Sequence, residues 1–334
     1  MIGSDLILLT GVSLILAIAI GANDETWAPA TGAKLISINK AVIIGAVILT
    51  IGAVTIGFNV AKEVGTGISE GRSIDEEMGQ ILTILFSVAL LLILGSWKGL
   101  PLSTTHTMIG STVALSLILN ETINEAKILK IVASWFISPI LGYVGSYYIM
   151  KGIMRFKKSY IKGLDDVDRV ETYFSKGLII AVIITSFSRG ANDVSNAVAP
   201  IIKSYLTLAQ EEELDIIARI PLLLAGIFMG IGLISIGRRV LKTLGNDVVE
   251  LSPTTAVSVQ VSTALITFVA AALLIPISGT HVLVAAFVGT GKAYGSKVNM
   301  DSVKRIAVSA ILTPFAAALT TYLMWFLIFK PIYI

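Results

Sequence analysis

The sequence predicts an all-α polytopic membrane protein made of two inverted-topology repeats, with about ten to twelve membrane segments, some of them broken or re-entrant helices. Three observations predict it. Of the 334 residues, 55% are hydrophobic and only 14% charged, with a mean hydropathy of +0.86, well beyond the apolar share of a soluble domain. The apolar residues fall into runs close to the length of a bilayer crossing. A set of short polar motifs occurs twice, in the same order.

The runs are Leu6–Gly21, Ala41–Val60, Ile81–Gly95, Val132–Met150, Pro221–Gly237, Thr254–Ile277 and Ala307–Phe329. One soluble core has no means of absorbing all of them. The motifs divide the chain into a first membrane repeat over 1–150, a charged segment over 151–176 and a second repeat over 177–334. Asn23-Asp24 answers Asn192-Asp193, "PLSTTH" (Pro101–His106) answers "PISGTH" (Pro276–His281), "AVTIGFNVAKEVG" (Ala53–Gly65) echoes "LISIGRRVLKTLG" (Leu233–Gly245), and "ISPILG" (Ile137–Gly142) echoes "LTPFAA" (Leu312–Ala317).

Lys and Arg set the orientation, because cytoplasmic loops carry the excess. The middle segment holds Lys151, Arg155, Lys157, Lys158, Lys162, Arg169 and Lys176, and is expected in the cytoplasm. Alternating crossings outward from it place Lys34, Lys40, Lys98, Arg238, Arg239, Lys242, Lys292, Lys297, Lys304 and Arg305 on the same side. Lys62, Arg72, Lys127, Lys130, Lys203, Arg219 and Lys330 fall opposite, with the acidic clusters Asp75-Glu76-Glu77 and Glu211-Glu212-Glu213. The bias is seventeen to seven, with Arg189 left inside the membrane. An odd number of crossings per repeat, about five on a bilayer-length count, makes the second repeat enter from the opposite side. The expected location is the cell membrane.

The absence of cysteine excludes disulfides, thiolate catalysis and Cys-based metal centres. Met1–Asp5 lacks a basic leader region, so no cleaved signal is expected. The net charge of +3 is small and predicts no nucleic-acid partner. The acidic loops Gly71–Gln80 and Gln210–Leu214 read as solvated surface.

Chemistry is expected at the repeated motifs. "AIGANDETWAPATGAK" (Ala19–Lys34) and "SRGANDVSNAVAP" (Ser188–Pro200) put Gly, Asn and Asp into apolar runs. Gly and Asn tolerate helix-ending conformations, so both motifs predict helix breaks. Broken backbone at membrane depth has to line protein or a wet cavity, and an ionisable residue there is costly enough to imply function. Capping of the following half-helix is the plain alternative for Asp24 or Asp193; two identical settings favour a site. In the other motif pair, Pro ends one run, and Ser103, Thr104, Thr105 or Ser278, Gly279, Thr280 open the next. Hydroxyls and free N–H groups at helix starts bind anions. His106 and His281 read as braces, since two His without Cys or HExxH spacing make a poor zinc site. Three roles are open to Arg189: pairing with Asp193, steadying the second break, or meeting the anion.

Like charges repel strongly in a low dielectric, so Asp24 and Asp193 need a cation between them to sit beside an anion. Sodium suits carboxylate, Asn and backbone carbonyl oxygens at unwound helix ends. The expected cation set is Asp24, Asp193, Asn23, Asn192 and Asn196; the anion set is Ser103, Thr104, Thr105, Ser278, Gly279 and Thr280 with Asn23 and Asn192. Glu25, Arg189, His106, His281 and Thr31 are accessory candidates. Each ion then favours binding of the other, which is symport, with a proton as the alternative coupling ion and no cofactor.

These motifs together resemble the inorganic phosphate transporter family, whose repeats each carry Gly-Ala-Asn-Asp. The resemblance runs from about Leu6 to Phe329 and implies sodium- or proton-driven phosphate uptake by a homodimer in the lipid bilayer. Residues 190–197 match the signature fully, but the first copy stops at Gly21-Ala22-Asn23-Asp24, where Glu25, Thr26 and Trp27 depart from it. Gly279 replaces a usual Thr, and Arg189 a different polar residue. Sulfate or another oxyanion is the alternative cargo. An intramembrane aspartyl protease leaves the duplicated Ser/Thr motifs without a role, and in a channel the paired breaks would line a continuous pore.

Overall fold

A computed structural model describes residues 2–57, 74–121, 123, 125–208, 214–272 and 277–333. Among these, regular structure is helical apart from one isolated bridge, Val249 to Val298. The helices are α1 (Ile2–Ala22), α2 (Ala28–Gly32), α3 (Ile38–Thr55), α4 (Ile74–Trp97), α5 (Thr104–Ile118), α6 (Glu125–Tyr160), α7 (Leu164–Leu208), α8 (Leu214–Gly232), α9 (Arg238–Asp247), α10 (Pro253–Ala272), α11 (Gly279–Tyr294), α12 (Met300–Met324) and α13 (Lys330–Tyr333). Wider π-type turns at Leu233–Gly237 and Trp325–Phe329 carry α8 into α9 and α12 into α13.

Among the described residues, seven helical stretches are long and apolar enough to cross a bilayer: Ile38–Thr55, Met78–Trp97, Ile128–Tyr160, Asp165–Val198, Arg219–Asp247, Pro253–Ala270 and Met300–Ile332. Leu6–Ala22 is apolar but shorter. Every apolar run read from the sequence overlaps one of these helices in its described residues, and one such helix, Asp165–Val198, is not among the runs. Its charged start and polar signature dilute the apolar pattern.

The charged segment 151–176 is helical except at 161–163, being the end of α6 and the start of α7. Glu171 ties three helix ends there: Lys157 Nζ lies 2.6 Å from its Oε1, and the Thr254 N–H donates to Oε2 at 3.2 Å. The acidic cluster Glu211–Glu213, Pro276 and most of the Ala53–Gly65 echo lie outside the described residues.

The two signatures differ in backbone. At the first, α1 ends at Ala22, and residues 23–27 form turns before α2, whose start carries Pro29. The second does not break: α7 runs uninterrupted from Leu164 to Leu208, against the expectation of a gap. Val194-Ser195-Asn196-Ala197 lacks the early proline of the first copy, and Ser195 Oγ donates back to the Ala191 carbonyl, leaving the helix intact.

The signature glycines have a different job from helix breaking. A Cβ on Gly190 would lie 2.0 Å from the Leu49 carbonyl oxygen of α3, and one on Gly52 of α3 would lie 2.0 Å from the Phe187 carbonyl of α7. The mirror contacts are Gly21 against Met229 and Gly232 against Ile18, at 1.8 and 2.0 Å. Backbones approach this closely only where side chains are absent, a common membrane-helix interface.

Packing follows an exchange. α1 packs on α8 and α3 on α7; α5 packs on α12 and α11 on α6. Gly110 of α5 sits under the Pro314 carbonyl of α12, and Gly142 of α6 under the Val282 carbonyl of α11. Helices from the two halves therefore interleave, and buried Leu16, Leu49, Leu82, Leu85, Phe287 and Trp325 belong to one apolar core.

Gly190→Val is expected to lower thermal stability in detergent sharply, by more than the 1–3 kcal/mol typical of overpacking, because backbone has to move. Gly152→Ala, with nothing within 4 Å of its Cβ position, is expected to be neutral or to gain up to about 1 kcal/mol of helix propensity. Paired melting curves of the two variants check this.

Candidate functional site

The break between α1 and α2 places two carboxylates in the interior. Asp24 is 3% exposed and Glu25 1%. Burying them requires charged or hydrogen-bonding partners, and Arg189 of α7 supplies most. Its Nη1 lies 2.8 Å from Glu25 Oε1 and 3.2 Å from Asp24 Oδ1, while Nε lies 3.3 Å from Asp193 Oδ2. Thr26 Oγ1 donates to Asp24 Oδ1 at 2.7 Å, and Thr280 Oγ1 to Glu25 Oε1 at 3.0 Å. The second oxygens, Asp24 Oδ2 and Glu25 Oε2, are buried without a partner.

The cation between the carboxylates is thus a guanidinium. Among the described residues no three His, Cys, Asp or Glu side chains converge as a metal cage. Of the roles open to Arg189, pairing with Asp193 is present and extends further: Arg189 joins the carboxylates of both halves. Trp27, 1% exposed, secures the break from the other side, its Nε1 reaching Ser186 Oγ of α7 at 3.3 Å.

The hydroxyl motifs behave alike. Ser103 caps α5 by accepting from the His106 N–H at 3.2 Å, and Ser278 caps α11 by accepting from the His281 N–H at 3.3 Å. Both serines are therefore N-caps, and both also border the same cavity. The two helix starts meet, since Thr105 Oγ1 donates to the Ile277 carbonyl at 3.2 Å.

A cavity of about 480 Å³ lies where these elements converge. The break contributes Glu25 and Thr26; α5 and its cap Ser103, Thr104 and Thr105; α7 Arg189, Asn192, Asp193 and Asn196; and α11 and its cap Ser278, Gly279 and Thr280. Sequence reasoning missed Thr185 and Ser188 of α7 and Gln260, Thr263 and Thr267 of α10, which also line it. The signal for Gln260 was present: an amide in the apolar run Thr254–Ile277 demands a partner. Its Nε2 donates to Thr185 Oγ1 at 2.9 Å, and its Oε1 is buried without one.

Other candidates sit elsewhere. Asn23 does not line the cavity; its Oδ1 accepts from the Leu102 N–H at 2.8 Å and its Nδ2 donates to the Leu102 carbonyl at 2.6 Å. Both ends of the amide are spent holding the strand-like entry to α5, so its expected ligand role is corrected to a clamp. Asp24 stands behind Glu25 rather than on the cavity wall. Thr31 bonds back to the Trp27 and Ala28 carbonyls and is also off the wall. His106 and His281 lie behind the helix starts with ring centres 4.4 Å apart, and His106 Nδ1 lies 3.1 Å from the Ala310 carbonyl, which makes it a brace.

Arg189 occupies the place of Ile20 in the first copy, Glu25 that of Val194 in the second, and Gly279 that of Thr104. These three breaches of symmetry meet: Arg189 pairs with Glu25, and a Cβ on Gly279 would lie 3.1 Å from Arg189 Nη2.

An interleaved bundle of apolar helices around a charged and hydroxyl-lined cavity defines a membrane transport protein. Comparison with known proteins specifies the class: the sequence profile of the phosphate transporter family matches residues 20–321, and the chain belongs to that family. It is 28% identical to a protein of Thermococcus kodakarensis that bears a phosphate-permease designation, over 92% of this chain and 94% of the relative. A Pyrococcus furiosus protein of the same designation is also 28% identical, over 90% and 91%. The solved structure of a sodium-dependent phosphate transporter superposes with a TM-score of 0.80 at 26% identity, covering 96% of this chain and 98% of that one. These are transporters, so the protease reading falls.

The two signature asparagines are expected to separate on substitution. Asn23→Ala strands the Leu102 N–H and carbonyl, at about 1–3 kcal/mol for each buried group left unpaired. Asn192→Ala is expected to leave stability within about 0.5 kcal/mol, as at other sites where no native contact is broken. Thermal melts of the purified variants distinguish them.

Proposed function

We propose that the protein imports inorganic phosphate across the cell membrane by cation symport, with sodium as the favoured coupling ion and a proton as the other. The observation that carries this reading is the cavity, where helix starts and hydroxyls of both halves face the buried carboxylate network. The α5 and α11 starts supply donors to the anion. Asp193, Asn192 and Asn196 of α7, with the unpartnered Glu25 Oε2, supply oxygens to the cation. The sodium dependence named for the solved relative supports the choice of ion.

The two halves are read as inverted repeats moving about this shared site, in about ten to twelve membrane segments as expected for the apolar content. The reciprocal packing of α1 on α8 and α3 on α7, and of α5 on α12 and α11 on α6, supports that symmetry. Alternating access then rocks one interleaved set against the other while phosphate and cation stay between the helix starts. A homodimer is the proposed assembly, carried by the family resemblance.

The central test is radiolabelled phosphate uptake by proteoliposomes under an imposed sodium gradient and, separately, under a pH gradient alone. Uptake is expected to follow sodium and to be abolished by Asp193→Asn in protein that inserts normally. Wild-type uptake by that variant removes Asp193 from coupling.

A further inference from the structure

The phosphate reading leaves one question of chemistry open, namely what separates phosphate from sulfate, which has the same shape. Resting on that reading, the geometry points to Arg189 and Gln260 as a pair that selects a protonated tetrahedral oxyanion: Arg189 Nη2 takes a bare oxygen and Gln260 Oε1 accepts the hydroxyl.

Arg189 brings the donor side. Its Nη1 and Nε are held by Glu25, Asp24 and Asp193, and among the described residues Nη2 donates to no protein atom. Nη2 lies at the first turn of α11, where Gly279 has no side chain to displace it. Among the described residues the cap takes the His281 N–H of this first turn, and a helix start of this kind presents N–H groups to an incoming anion. Glu25 therefore acts as the positioning residue that fixes the guanidinium at the anion's place.

Gln260 brings the acceptor side. Which end of its amide is free follows from Thr185. The Thr185 hydroxyl donates its one proton to the Ala181 carbonyl at 2.8 Å, so its oxygen has to accept from Gln260 Nε2. The unpartnered atom is the carbonyl Oε1, in a residue 1% exposed that lines the cavity. A buried acceptor without a donor costs free energy until a ligand supplies one. Thr185, which holds the Gln260 amide, stands one helical turn from Arg189 on α7, and Gln260, Thr185 and Arg189 all line the same cavity.

Phosphate near neutral pH carries both kinds of oxygen, P–O⁻ and P–OH. Sulfate carries only bare oxygens and would set one against Oε1, acceptor against acceptor. Sites built to hydrogen-bond a substrate hydroxyl reject analogues lacking it by large factors, up to about 10⁴–10⁵.

The test uses the full chain in proteoliposomes, reading inhibition of labelled phosphate uptake. For the wild type, arsenate, which has a hydroxyl, is expected to compete. Sulfate and monofluorophosphate, which have none, are expected to compete at least about tenfold less well, the equivalent of one hydrogen bond. Equal competition by arsenate and monofluorophosphate overturns the inference without recourse to any variant. Gln260→Leu, with Gln260→Met as a second form of similar length, is expected to raise the KM for phosphate and to shrink the preference over sulfate by about tenfold or more. Arg189→Gln made together with Glu25→Gln is expected to weaken phosphate and sulfate alike, leaving their ratio unchanged. Gln260 variants that alter only the sodium requirement and keep the anion preference assign Oε1 to the cation and overturn the inference. A wild-type chain with no phosphate uptake sinks the transport reading itself, and this inference with it.

Discussion

Three carboxylates share one guanidinium in the interior of this protein. Charges removed from water at this depth are tolerated only when paired and hydrogen-bonded. Asp24 and Glu25 come from the break after α1, whereas Asp193 and Arg189 come from a continuous helix in the other half of the chain. The network therefore joins the halves at the cavity wall. Losing one partner from such a network costs about 3–5 kcal/mol because a charge is left exposed to low dielectric. Its conformation, and the shape of the cavity beside it, depend on keeping that balance.

The close helix packing makes this network possible. Gly21 and Gly190 bring α1 onto α8 and α7 onto α3 at backbone contact, which brings the two signatures into the middle of the bundle. Gly110 and Gly142 do the same for the half-helix α5 and for α11. The Ser-capped starts of α5 and α11 are thereby brought together, close enough for Thr105 to donate to the Ile277 carbonyl. Small residues in this chain are thus part of the site as much as the polar ones, because they decide which polar groups share a cavity.

Two nearly identical signatures ended up with different duties. Asn23 is spent on the Leu102 backbone, while Asn192 stands on the cavity wall. Asp24 lies behind Glu25, while Asp193 faces the cavity. A repeat at the level of sequence is therefore not a repeat at the level of chemistry. The copies diverge where Glu25, Arg189 and Gly279 fill positions that are Val194, Ile20 and Thr104 in the other half, and Arg189 meets both of the other two.

Much of this was legible in the sequence. Composition and apolar run length determined a helical membrane protein, since backbone groups in lipid have to bond within their own segment. Duplication marked the site, and both Ser motifs, Asn192, Asp193, Asn196, Glu25 and Arg189 do line one cavity. Local pattern could not tell whether Gly190 ends a helix or seats one, because glycine serves both, and the deciding atom is the Leu49 carbonyl on a distant helix. Nor could it tell that Asn23 is occupied, that Gln260 faces the same space, or that Arg189 meets three carboxylates. Those facts are distances between residues far apart in the chain, and only the packing of the halves sets them.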